Sequence, residues 1–260
     1  MHAWRPDDRA MADRSSPPDR RDRQDLREPD WPRRLTAEIA GTFALVLAAA
    51  GADAVAKATS GAVSDASRAV APALVVAAMI YSIGDASGAH FNPAVTLAFA
   101  LKRLIPPSWL APYWLAQLGG ALLAAATVRL VLGSAIDAAV SHPKLVDGPG
   151  AVGVEAVLSL LLLVVILGTA DRFRVVGPNA ALAVGATIAA CGLIGLPLEG
   201  ASMNPARSIG PAVVAGDLRD VWIYVVGPVV GAVAAVLLTT FLHGQRGESG
   251  ETAEAARGTS

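Results

Sequence analysis

Two short stretches carry the residue types that could do chemistry. Ser87-Gly88-Ala89-His90-Phe91-Asn92-Pro93-Ala94 and Gly200-Ala201-Ser202-Met203-Asn204-Pro205-Ala206-Arg207 repeat one plan of small residues followed by Asn-Pro-Ala. Neither forms a nucleophile elbow, a pair of catalytic carboxylates or a phosphate-binding glycine loop. Each can start a helix, because Asn is a good N-cap and Pro is favoured at the first helical position. The apolar segments that follow, 95–101 and 208–214, are short. About ten helical residues rise ~15 Å, half of a bilayer core of ~30 Å. Two such halves, entering from opposite faces and meeting head to head, would make one crossing. At the junction, each N-terminus carries about half a positive charge, and Asn92 and Asn204 add amide donors. Irregular backbone at membrane depth is tolerated only beside water, so the carbonyls of residues 88–91 and 200–203 should line a narrow wet path.

Positioning these loops requires a membrane scaffold, and composition supplies one. Apolar residues make up 53% of the 260 and charged residues 17%, with a mean hydropathy of +0.49. Residues 1–34 hold 17 of the 43 charges, nearly balanced in sign. They read as a disordered, solvated cytoplasmic tail. The body then reads as six spans, at 35–55, 69–83, 109–132, 153–170, 177–194 and 222–242. Residues 35–132 form a first repeat, 133–150 a connecting loop, 151–243 a second repeat and 244–260 a second disordered tail. Glu38 and Glu155 open equivalent spans 117 residues apart, and the two Asn are 112 apart. Three spans per half invert the second repeat, which places a site at the midplane between the halves. The fold class expected is an all-α polytopic membrane protein, with six transmembrane helices and two re-entrant half-helices.

Charge in the short loops sets orientation. Arg33-Arg34, Lys102-Arg103, Arg172, Arg174 and Arg246 fall on one face, which should be cytoplasmic along with both termini. Lys57, Arg68, Lys144 and Arg219 fall on the other, balanced by nearby acids. Trp31, Trp109 and Trp222 sit near span ends, where interfacial anchors belong. No cleavable signal peptide is recognisable, so the first span should act as its own insertion signal in the plasma (inner) membrane. No basic face suits nucleic acid. The single Cys191 excludes an intrachain disulfide, and it reads as packing in the fifth span.

Several residues carry two readings. Arg207 could snorkel to a headgroup, but its place after the second Asn-Pro-Ala favours a permanent cation facing the path. Glu38 and Glu155 could complement helix dipoles as first-turn acids or relay protons. His90 reads as a loop-supporting residue, since no second His lies nearby to complete a metal site. No metal and no cofactor is expected. Gly119-Gly120, Gly227 and Gly231 fit close helix contacts.

The paired Asn-Pro-Ala boxes, the Arg after the second, the two early glutamates and the internal repeat resemble the aquaporin, or major intrinsic protein, family across residues 35–243. That resemblance implies a non-enzymatic, passive channel for water and small uncharged solutes, assembled as a homotetramer in the lipid bilayer, with Glu38 and Glu155 holding the loops by accepting backbone hydrogen bonds. Exclusion of cations and protons by an arginine and half-helix dipoles is the general account of such pores and is applied here. The family's selectivity constriction maps by spacing onto Pro72, Gly192, Ala201 and Arg207. Water-selective members have an aromatic residue and a His at the first two positions, so this constriction should be wide and weakly polar. Gly192 is similar to glycerol facilitators, and Ala201 to plant nodulin-like intrinsic proteins. Ser208 departs from the Asp usual in glycerol facilitators, and Val225 from the Trp common in water channels. The alternative is a secondary transporter, which inverted repeats also build; it would need an ion-coordinating group at the midplane, and none is evident between the boxes.

Overall fold

The computed structural model describes residues 30–170, 179–243 and 256–258. Its described helices are α1 (Trp31–Ala58), α2 (Asp65–Ser87), the half-helix α3 (Pro93–Leu101), α4 (Leu110–Leu132), α5 (Gly148–Ala170), α6 (Ala180–Leu198), the half-helix α7 (Pro205–Ala215) and α8 (Ile223–His243). Short 3-10 turns cover Pro107–Trp109 and Gly133–Ala139. No strand occurs among the described residues. Six of the helical stretches are long and apolar enough to cross a membrane. Leu130 and Phe241 are each 86% exposed, as side chains facing lipid must be.

Helices α1 and α2 exceed the spans read from hydropathy because their ends are polar. Helix α1 begins at Trp31, so residues 31–34 belong to it and not to a disordered tail; Pro32 is preset for a first turn. Helix α2 starts at Asp65 because the Ser64 side chain accepts from Ser67 N (3.1 Å). Pro72 therefore lies inside α2 and does not open it. Gly84-Asp85 does not break the helix either; it ends at Gly88, a left-handed C-cap with φ +89°. Residues 1–29 and 244–255, and the Arg172 and Arg174 turn, lie outside the described residues. Ala256–Gly258, expected within a disordered tail, are instead placed against the first loop, where the Ala256 carbonyl lies 3.0 Å from His90 Nε2.

Small residues let the helices approach. A Cβ at Gly120 of α4 would collide with the Ile39 carbonyl of α1. At the equivalent Gly231 of α8 it would lie 2.6 Å from the Ala156 carbonyl of α5. Gly227 likewise meets Glu155 Cβ at 2.5 Å, whereas Gly119 faces open space and makes no close helix contact. Helices α2 and α6 cross on Ala69, Ala73 and Ala77 against Gly185 and Gly192. Each half-helix also packs on the other repeat, α3 on α8 and α7 on α4. Trp109 is buried, stacked on Tyr113 (5.8 Å) beneath the Arg34 guanidinium (4.8 Å), so it is a packing residue and not an exposed anchor.

Candidate functional site

Both Asn-Pro-Ala boxes open helices through the same cap. Asn92 Oδ1 accepts from Ala94 N (2.8 Å), and Asn204 Oδ1 accepts from Ala206 N (3.0 Å) and Arg207 N (3.4 Å). The amide ends cross over: Asn92 Nδ2 donates to the Met203 carbonyl (2.8 Å) and Asn204 Nδ2 to the Phe91 carbonyl (2.9 Å). The half-helices thus meet head to head, and each asparagine still has one amide hydrogen for a solute.

The loops leading to the boxes use unusual backbone. Gly88, Ala89 and Phe91 have positive φ, and so do Gly200, Ala201 and Met203 in the same register. Left-handed conformations cost a non-glycine residue roughly 1–2 kcal/mol, so something must hold them. Two buried carboxylates do. Glu38 accepts from Ser87 Oγ (2.6 Å), His90 N (3.0 Å), Phe91 N (2.8 Å) and Gln117 Nε2 (2.7 Å). Glu155 accepts from Ser202 N (2.5 Å) and Met203 N (2.8 Å), the equivalent pair. Tyr113 and Tyr224 donate to the Ser87 and Glu199 carbonyls, again in matching positions. His90, fully enclosed, has Nδ1 3.0 Å from Thr96 Oγ1, as Ser202 Oγ has the Ser208 hydroxyl at 2.6 Å.

A cavity of about 450 Å³ runs along this junction. Tyr81, Asp85 and Thr169 line one end; Asn92 and Asn204 line the middle; Arg68, Pro72, Gly192, Ala201 and Arg207 line the other. The four residues mapped to the constriction are therefore brought to one end of one cavity. Gly192 contributes backbone only, and a Cβ added there would lie 3.1 Å from Ala69 Cβ. Glu38 and Glu155 stand behind the loops and do not line the cavity. No cluster of three or more metal-ligating side chains occurs among the described residues.

Arg207 is only 8% exposed and is anchored on two sides. Nη1 donates to Ser141 Oγ (2.5 Å), and Nη2 pairs with Asp53 Oδ2 at 3.3 Å. Asp53 holds a second guanidinium through Oδ1, that of Arg68, at 2.7 Å.

Residues 25–239 match the major intrinsic protein family. The chain belongs to that family. It is 43% identical over 202 residues to aquaporin NIP1-1 of Oryza sativa subsp. japonica, covering 78% of this chain and 71% of that protein. Aquaporin NIP1-1 of Zea mays is 44% identical over 202 residues, with coverage of 78% and 72%. The fold is similar to the X-ray structure of the aquaglyceroporin from Plasmodium falciparum, with a TM-score of 0.71 and 24% identity over 81% of this chain and 95% of that one. This chain is thus a major intrinsic protein channel, integral to the membrane through six apolar helices.

Sequence reasoning missed the partners that cross between elements. Asp53 stands out only as a lone acid near the end of a span, and Arg68 as a loop cation balanced by an acid. Pairing the lone acid with the lone pore arginine, of opposite sign, would have been the available signal. Glu199 was also missed. It is buried, with Oε1 accepting from Ala201 N (3.0 Å) and Oε2 without a partner among the described residues.

Proposed function

We propose that the chain is a passive channel for water and small uncharged solutes, glycerol, urea and neutral metalloid acids among them, that excludes protons and cations. The observation that carries this is the crossed Asn92 and Asn204 junction, at the middle of a cavity lined by both loops. A neutral hydroxyl compound finds amide donors there and loop carbonyls on either side. A cation meets two half-helix N-termini and then Arg207, with no carboxylate among the described groups lining the middle. Pro72, Gly192 and Ala201 add neither an aromatic ring nor an imidazole, so the constriction they form with Arg207 is wide and weakly polar. Four copies form a homotetramer with a pore in each subunit, and both termini face the cytoplasm of the plasma (inner) membrane. Arg33, Arg34, Lys102 and Arg103 all lie at one end of the bundle, in keeping with that orientation.

Proteoliposomes holding the protein should shrink quickly under osmotic shock and then re-swell as glycerol or urea enters, followed by stopped-flow light scattering. Fast water flow with both solutes rejected would overturn the wide constriction. Flux driven by a proton or sodium gradient would overturn the passive reading.

A further inference from the structure

We infer that Asp53 is a positioning residue for the mouth of the pore, and that Arg68 is a second specificity residue there. This rests on the channel reading and extends it to solute choice.

Asp53 lies in α1 with its side chain 5% exposed. Its carboxylate is shared between two guanidinium groups, Arg68 Nε at 2.7 Å and Arg207 Nη2 at 3.3 Å. Burying a carboxylate this deeply is tolerated only when such partners surround it. Arg68 stands four residues before Pro72 on α2, one helical turn farther along the cavity wall. Its Nη1 is tied to Asp65 Oδ1 (2.7 Å), so two edges of its fork are fixed. Nη2 makes no hydrogen bond among the described residues, while the side chain lines the cavity. Asp53 itself faces a separate recess of about 420 Å³, behind Arg68. The carboxylate is therefore turned away from the path, and the donors it holds are turned toward it.

The consequence is a rim with two cationic donor groups held in fixed positions. Guanidinium is planar and weakly hydrated, suited to gripping oxygen. A neutral solute with two or more hydroxyl oxygens can accept from Arg68 and Arg207 together as it sheds water at the mouth. Urea, or water alone, gains less from the second donor. The rim thus favours polyhydroxyl solutes over other neutral molecules of similar width.

The test compares glycerol, urea and water permeabilities in proteoliposomes for wild type, Arg68→Gln, Asp53→Asn, Asp53→Glu and the double variant Asp53→Asn with Arg68→Gln. The Arg68→Gln change should lower the glycerol-to-urea ratio by roughly tenfold, the equivalent of about 1.4 kcal/mol for one charge-assisted hydrogen bond. Asp53→Asn should lower it too, by freeing both guanidiniums, and Asp53→Glu should restore part of it. In the Arg68→Gln background the further effect of Asp53→Asn should shrink, because one of its two charges is gone. A wild-type ratio in Arg68→Gln overturns the role of Arg68. Equal, additive effects of Asp53→Asn in both backgrounds overturn the positioning role. Should Asp53→Asn fail to fold, Arg68→Gln and Asp53→Glu still decide the matter. A wild-type protein that passes neither water nor glycerol would instead sink the channel reading itself.

Discussion

A buried carboxylate with four donors around it has one job it can do well. Glu38 accepts from both His90 N and Phe91 N. Removing it would strand two buried N–H groups at ~1–3 kcal/mol each, in a loop already carrying left-handed residues. Glu38→Ala should therefore lower the unfolding temperature in detergent markedly and abolish flux, and Glu38→Gln, which keeps one acceptor oxygen, should do less of both. Arg207→Val makes a different point. It should admit cations in voltage-clamped membranes, and more than loss of one charge suggests, because Asp53 is left with Arg68 alone. Adding Asp53→Asn should reduce that leak; if the single variant still excludes cations, the charge of Arg207 is not the barrier. The residues of the two boxes could be read from the chain because each box is contiguous and occurs twice. The Asp53 pairing is hinted at only by opposite sign, since it joins positions 154 residues apart that share no repeat.

At the scale of elements, the close helix crossings decide whether the loops can be held at all. Gly120 and Gly231 occupy equivalent places where another backbone comes within reach. Gly231→Val would push α8 from α5 and carry Glu155 away from the second loop. Such a variant should be lost from the folded membrane fraction, as judged by size-exclusion chromatography in detergent. Gly119→Val, one residue from the crossing and facing open space, should be recovered at close to wild-type yield. Six apolar spans and two half-helices were legible because burial in lipid demands long apolar runs and leaves few alternatives. Helix ends were less legible. The Ser64 cap and the Arg68–Asp65 pair start α2 outside the apolar run, where hydropathy carries no information. Which of two neighbouring glycines meets a partner helix was not legible either, because it depends on the direction each faces.

Taken whole, the molecule is two copies of one plan that differ at one mouth. Glu38 matches Glu155, Tyr113 matches Tyr224 and Gly120 matches Gly231, but Val95 stands where the second repeat has Arg207. The cationic rim therefore belongs to one side only, and the symmetric part of the pore is its middle. That middle is made by exchange: Asn92 donates to a carbonyl 111 residues later, and Asn204 to one 113 residues earlier. During synthesis the first loop must then wait, threaded into lipid with its amide unanswered, until most of the chain has left the ribosome. The early half is an unfinished clasp, exposed to quality-control proteases for that interval. A fragment ending at Leu132 should be degraded when made alone, as pulse-chase labelling would show, and should survive when the remaining half is supplied beside it.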